Sequence, residues 1–311
     1  MRLIPPTITP AELATAREAV EKLFPSALET LKGLVRIPGI AWDAFDASEL
    51  DKSAEAVKQL FLSTGVFEQV EILSATYGDS KMGAPAIVAT RKAKNSRPTI
   101  LLYAHHDVQP PGEDSLWEST PFEPEIRNGR MYGRGAADDK AGIIAHYSSI
   151  KLLAEIAGAD FDLGLAVFIE GEEEAGSPSF TSFLETYKHK LEGDIIIVAD
   201  SGNWSTTVPA ITTTLRGLVS LEFEVRTLDH AVHSGMYGGA VPDAMLAMVK
   251  ILGSMWDEKG SVSISGLFSA ENSHLEFTEA QLRADSGLLP STLPIGTGPI
   301  LPRLWTKPSL T

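Results

Sequence analysis

Three near-continuous apolar runs constrain the fold of this chain more than any other feature: Thr99–Ala104, Leu163–Ile169 and Asp194–Ala199. A strand that is apolar at nearly every position predicts burial on both faces, which in soluble proteins means a largely parallel sheet covered by helices. The intervening segments fit: Ala141–Leu153 reads as a strong helix and 178–190 as a second. Each run also ends in residues able to carry chemistry. His105-His106-Asp107 follow the first, Glu172-Glu173-Glu174 the second, and Asp200 the third, while Asp138-Asp139 open the helix between. Strand ends in an α/β sheet converge on one edge, where ligands bind. Side chains distant in sequence are therefore expected to meet in one pocket.

Upstream, Leu13, Ala16, Ala19, Leu23, Leu28, Leu31 and Leu34 follow the helical period over 11–36, with Pro25 expected to break it. A second helix fits 51–63 with Gly65 as its stop, and Gln69–Leu73 and Ala86–Thr90 read as strands. The expected fold class is α/β, a mostly parallel sheet with helices on both faces. Near Thr213 the pattern changes. Residues 208–217 are β-branched, Leu218–Thr227 alternates apolar with polar as a half-exposed strand does, and Val241–Trp256 reads as an apolar helix after the glycines of 235–239. The expected organisation is a catalytic domain over 1–212 and a smaller α+β domain over 213–311. Ser286–Thr311, rich in Pro, Gly, Ser and Thr, carries no clear element.

Composition narrows the function. With 26 basic against 41 acidic residues the net charge is -15, which argues against nucleic acid or an anionic membrane as partner. There are no cysteines, so any metal is held by His, Asp and Glu. No run approaches the ~18 apolar residues of a membrane span, and the N-terminus lacks a secretory apolar core. A cytoplasmic location is the expectation.

Each cluster has an ordinary explanation. His105 and Asp107 share a face if the chain stays extended, as a ligating imidazole and its orienting carboxylate would; a polar loop looks the same. Asp138 and Asp139 suit a helix start regardless of metal. Solvated loops carry runs such as Glu172–Glu174, although with a metal one Glu can ligate while its neighbour serves as general base. Asp200 suits a turn, and His233 a loop. Their shared placement at strand ends of one domain, with ligands suited to Zn²⁺ or Mn²⁺, favours a metal hydrolase.

TyrAlaHisHisAspValGlnPro (103–110), GlyArgGlyAlaAlaAspAspLys (133–140), GluGlyGluGluGluAlaGlySer (170–177), AlaAspSer (199–201) and HisSerGlyMetTyrGlyGly (233–239) together resemble the co-catalytic zinc metallopeptidase family. That family includes carnosine and other cytosolic dipeptidases, carboxypeptidase G and succinyl-diaminopimelate desuccinylase. The tail, with 296–308, looks most like the dipeptidase branch. The resemblance implies two divalent metal ions, Zn²⁺ first and Mn²⁺ or Co²⁺ as alternatives. His105 and Asp200 would bind one, Glu174 the other, and Asp138 would bridge them. Asp107 would orient His105, and Glu173 would be the general base. His233, on a lid domain, would stabilise the oxyanion across a homodimer interface. A cis Asp138–Asp139 peptide is also implied. The family supplies a further metal histidine far downstream, and lid Arg and Asn groups that grip the substrate carboxylate. No histidine follows His274, so the chain is expected to stop partway through the lid.

Two classes of function follow. One is two-metal hydrolysis of short, unmodified peptides, with N-acyl amino acid deacylation or desuccinylation as its neighbour on the same fold. The other is a non-catalytic remnant that binds metal or dimerises. Under the hydrolase reading too, the 311 residues are expected to be inactive alone.

Overall fold

Thr9 starts the first helix, α1 (Pro10–Val35), with a capping box. Its Oγ1 accepts the Glu12 N–H, Glu12 Oε2 accepts the Thr9 N–H, and Pro10 needs no partner at the first position. Pro25 lies inside this helix and does not break it. The carbonyl its ring leaves unbonded belongs to Glu21, and both residues are exposed, so that group is open to water. The helix buries only its last turns, through Ala27, Leu31, Leu34 and Val35. Helix α2 (Ala47–Leu62) is capped by the Asp46 carboxylate on the Ser48 N–H, and Gly65 turns the chain away at a φ of 66°. Its start lies ahead of the expected residue 51 because Asp46 provides the cap.

The computed structural model describes residues 9–213, 215, 217–269, 278–285 and 307–310. They fall into two compact units, Met1–Ser201 and Gly202–Thr311. The composition change read near 213 lies inside the second.

The first unit is built on a five-stranded sheet: β1 (Gln69–Leu73), β4 (Ala86–Arg91), β5 (Thr99–His105), β8 (Gly164–Glu170) and β9 (Ile195–Val198), in the order β1-β4-β8-β5-β9. The short pairs β2 (Thr76–Tyr77) with β3 (Lys81–Met82) and β6 (Glu125–Arg127) with β7 (Arg130–Tyr132) stand apart. β5 pairs with β8 and β9 in parallel, β4 is antiparallel to both its neighbours, and so four of the five strands run the same way. Alternate residues face opposite layers. Ile87, Ala89, Val167 and Ile169 pack with α1, α2 and α3 (Lys140–Ala157), whereas Val88 and Phe168 pack with Phe183 of α4 (Phe180–Tyr187). Phe61 of α2 is fully buried in the larger cluster, a side chain worth about 1.5–3 kcal/mol of burial.

β8 is buried at every position, as its composition predicts, but β9 is exposed throughout, Ile196 by 63%. Among the described residues β9 has only β5 beside it and lies at the sheet edge. Apolar character therefore does not report burial there.

The second unit carries α5 (Ser234–Tyr237), α6 (Ala244–Gly253) and α7 (Glu279–Asp285). Asp243 caps α6 by accepting the Leu246 N–H, which sets its start after Pro242. The strand expected at Leu218–Thr227 pairs with no neighbour among the described residues, and Leu218, Val219 and Leu221 are exposed. Alternation marks a surface that suits a sheet, but a strand forms only where another backbone supplies the ladder. Of the expected irregular tail only 307–310 is described; the rest lies outside the described residues.

Candidate metal centre

Parallel pairing aligns the strand ends. Register places His105 opposite Glu170 and Tyr103 opposite Val198, so the residues following β5, β8 and β9 emerge along one edge. The chain after β5 keeps an extended alternation. The N–H groups of His106 and Val108 bond to Glu170 and Gly39 carbonyls, while His105, Asp107 and Gln109 turn their side chains to the site.

His105 is the hub. It is fully buried, and its Nδ1 lies 3.1 Å from the Asp107 carbonyl and 3.3 Å from Asp107 Oδ1. Its Nε2 faces three carboxylates: Asp138 Oδ1 at 3.0 Å, Asp200 Oδ2 at 3.9 Å and Glu173 Oε2 at 4.0 Å. Burial favours the neutral ring, but the hydrogen bond and charge of Asp107, with Asp139 and Asp200 behind it, outweigh this and raise the pKa to about 10. Acceptors converging on one nitrogen are satisfied by a proton on that nitrogen or by a cation among them. Glu173 is shifted upward by its partial burial; the nearby His105 opposes this, and the Asp200, Glu174 and Asp107 carboxylates reinforce it.

Asp138 and Asp139 are joined by a cis peptide bond and have separate environments. Asp139 is buried, caps α3 by accepting the Gly142 N–H at 3.2 Å, and accepts the His105 N–H at 3.2 Å. Burial lifts its pKa to about 7, against the lowering effect of His105. Ligand atoms gather within 4.8 Å in two sets, His105–Asp138–Glu174 and His105–Asp139–Asp200. Both Asp139 oxygens already hold backbone N–H groups. The Asp138 carboxylate, 68% exposed, is the freer of the two to ligate.

Two buried carboxylates shape the loop after β8. Asp107 accepts the Glu173 N–H at 3.1 Å and the Glu174 N–H at 3.0 Å, so it orients His105 and fixes the two glutamates together. Glu172 is not a solvated neighbour in an acidic run: it is buried and accepts the N–H groups of Ala84 and Ser179 at 2.9 and 2.7 Å. Gly171 permits the close passage, since a Cβ there would lie 2.3 Å from the Pro85 carbonyl oxygen. Beneath the edge, Lys140 is buried and donates to the carbonyls of Leu34 and Ile37 at 2.8 and 2.7 Å, tying the start of α3 to the end of α1. His106 is buried and bridges Ser53 Oγ and the Pro85 carbonyl.

The structure thus brings His105, Asp107, Asp138, Glu173, Glu174 and Asp200 to one edge of the first unit. His233 belongs to the second unit, where it is exposed and its Nδ1 accepts the Gly235 N–H at 3.0 Å as the cap of α5. Sequence reading missed Gln109 and Trp42. Gln109 Nε2 donates to Glu174 Oε2 at 2.6 Å, and the Trp42 indole donates to the Glu174 carbonyl at 3.1 Å. Period-2 continuation from His105 through Asp107 points to Gln109. No local signal marks Trp42, which reaches Glu174 from the loop between α1 and α2.

Among the described residues no helix is long and apolar enough to cross a membrane. The cysteinylglycine-S-conjugate dipeptidase of Corynebacterium striatum is 36% identical over 232 residues, covering 73% of this chain and 50% of that protein. The Cys-Gly metallodipeptidase dug1 of Schizosaccharomyces pombe is 30% identical over 255 residues, covering 80% and 53%. The chain therefore spans about half the length of these curated relatives. Among solved structures, the di-peptidase Dug1p of Saccharomyces cerevisiae shares the fold with a TM-score of 0.68 at 22% identity, covering 88% of this chain and 61% of that one. Human carnosine dipeptidase 1 gives 0.67 at 23%, covering 90% and 62%. The profile of peptidase family M20/M25/M40 matches residues 101–285. With that match laid over the strand-end cluster, the chain belongs to peptidase family M20/M25/M40.

Proposed function

We propose that this chain carries the catalytic edge of a metal-dependent dipeptidase that hydrolyses the peptide bond of short, unmodified peptides. The observation that carries the reading is the convergence of three carboxylates within 4.0 Å of a buried imidazole nitrogen whose other nitrogen is already oriented. One imidazole and several carboxylates fit Zn²⁺ first, and Mn²⁺ or Co²⁺ next. His105 and Asp200 would hold one ion, Glu174 a second, and Asp138 would bridge. When bound, the ions supply Lewis acidity toward the scissile carbonyl and toward water.

The residues do the rest. Glu173, partly desolvated and with a raised pKa, accepts a proton from the attacking water and returns it to the leaving amine. Asp107 holds His105 in the tautomer that leaves Nε2 free and keeps Glu173 and Glu174 at fixed spacing. A homodimer formed through the second unit, with His233 supplying an oxyanion donor to the partner site, completes the proposal. The names of the relatives, Cys-Gly and cysteinylglycine-S-conjugate dipeptidases, support a free-amine dipeptide as substrate.

A protein carrying this segment at the length of its curated relatives, reconstituted with Zn²⁺, Mn²⁺ or Co²⁺, is assayed on Cys-Gly and other dipeptides beside N-acetyl and N-succinyl amino acids. Cleavage confined to free dipeptides, abolished by chelator, is expected. Glu173→Gln should remove turnover and spare metal content. Turnover retained in that variant removes Glu173 from its role, and cleavage only of N-acyl substrates replaces dipeptidase with deacylase.

A further inference from the structure

We infer that Gln109 is a positioning residue that holds the Glu174 carboxylate in the orientation needed to bind metal, an inference resting on the metal-site reading above. Glu174 is fixed at three points. Its N–H donates to Asp107 Oδ2 at 3.0 Å, and its carbonyl accepts the Trp42 indole at 3.1 Å. These two contacts set the backbone and leave the side-chain torsions open. Gln109 Nε2 sits 2.6 Å from Glu174 Oε2 and 3.4 Å from the Glu174 carbonyl oxygen, so one amide nitrogen faces both acceptors. An amide oxygen in that place would face two acceptors, and the chemistry therefore fixes which end of the amide points inward. The amide on Oε2 fixes the rotation of the carboxylate, one oxygen of which lies within 4.8 Å of the ligand atoms of His105 and Asp138.

The position follows from the chain's own geometry. His105, Asp107 and Gln109 are successive odd residues of one extended segment: the first offers a ligand nitrogen, the second orients that ring, and the third orients a carboxylate from the neighbouring strand end. Partners that orient ligands contribute roughly 10–100-fold in metal affinity. Gln109 is half-buried and paired with a side chain that is itself half-buried, so removing its amide is not expected to unfold the protein.

The test is zinc binding to the full chain by competition with a chromophoric chelator, for wild type, Gln109→Met, Gln109→Glu, Glu174→Gln and the Gln109→Met/Glu174→Gln double variant. Thermal midpoints are taken in EDTA and in zinc. Gln109→Met should weaken one class of zinc site by about 10–100-fold, reduce the zinc-induced rise in midpoint, and leave the EDTA midpoint at the wild-type value. The same substitution on the Glu174→Gln background should change nothing further, because the two residues act as one unit. Gln109→Glu, which faces a carboxylate with a carboxylate, provides the second variant and should weaken the same class. Wild-type zinc affinity in both Gln109 variants overturns the inference while the metal-site reading stands. An equal loss on the Glu174→Gln background also overturns it, since Gln109 would then act elsewhere. A wild-type chain that takes up no zinc sinks the metal-site reading itself.

Discussion

Asp107→Asn replaces one charge with a near-isosteric amide at the point where three parts of the site meet. Asp107 has no exposed side-chain surface, accepts the Glu173 and Glu174 N–H groups at 3.1 and 3.0 Å, and lies 3.3 Å from His105 Nδ1. Asparagine keeps one oxygen, so one backbone N–H loses a charged acceptor and meets an amide donor instead. A hydrogen bond to a charged group is worth about 1.5–3 kcal/mol, which is the expected loss of metal-free stability, out of a typical total of about 5–15 kcal/mol. Urea unfolding in EDTA reads this. The second readout is the His105 ring titration by NMR. Burial alone pulls His105 toward neutrality, and Asp107 leads the groups that hold its pKa at about 10; in the variant the pKa should fall. The folded pKa of wild type lies above the unfolded value of about 6.5. The stabilisation from His105 is therefore complete below pH ~6.5 and is lost as pH rises through about 10. That alkaline loss should shrink in Asp107→Asn. An unchanged urea midpoint, or a His105 ring still titrating near pH ~10 in the variant, refutes the assignment of Asp107 as the clamp.

Two further outcomes follow from the geometry beside the centre. Gly171→Ala puts a methyl group 2.3 Å from the Pro85 carbonyl oxygen and 2.8 Å from His106 Nε2, so the loop carrying Glu173 must shift. A cost of about 1–3 kcal/mol is expected from such overpacking, with weaker metal binding, and a variant as stable as wild type would mean that the loop yields freely. His106 is held near a pKa of about 4 by burial. The unfolded chain takes up this proton near pH ~6.5, so its contribution to stability is complete above that pH and falls away toward pH 4, by about 3 kcal/mol at most. Urea midpoints measured from pH 7 to 4 should fall less steeply in His106→Asn than in wild type, and parallel curves would show that His106 does not titrate in this way.

The apolar runs determined much of the first unit. A segment like Leu163–Ile169 has no polar face, which favours an interior strand, and β8 is buried along its whole length. The chemistry-bearing clusters were legible because parallel strands bring their ends to a common edge. Local sequence carried less where a second backbone decides the outcome. Nothing in Ala86–Arg91 says that β4 runs against its neighbours, and nothing in Ile195–Val198 says that β9 lies at the edge with Ile196 exposed. Leu218–Thr227 alternates correctly yet pairs with no neighbour among the described residues. Pro25 was misread for a related reason: its penalty depends on whether water can reach the freed carbonyl, and that is set by which face of α1 packs.

Identical side chains were separated only by the folded chain. Asp138 and Asp139 are chemically the same, but one is exposed beside His105 and the other is committed to two backbone N–H groups. Glu172, Glu173 and Glu174 likewise divide into a buried clamp, a partly desolvated acid and a carboxylate held by Gln109. The sequence by itself determined which functional groups are available and which sheet edge they occupy, because hydrophobic periodicity and residue chemistry are local. Only the tertiary structure decided what each carboxylate does, because burial, opposing donors and neighbouring charge are properties of the space around a side chain.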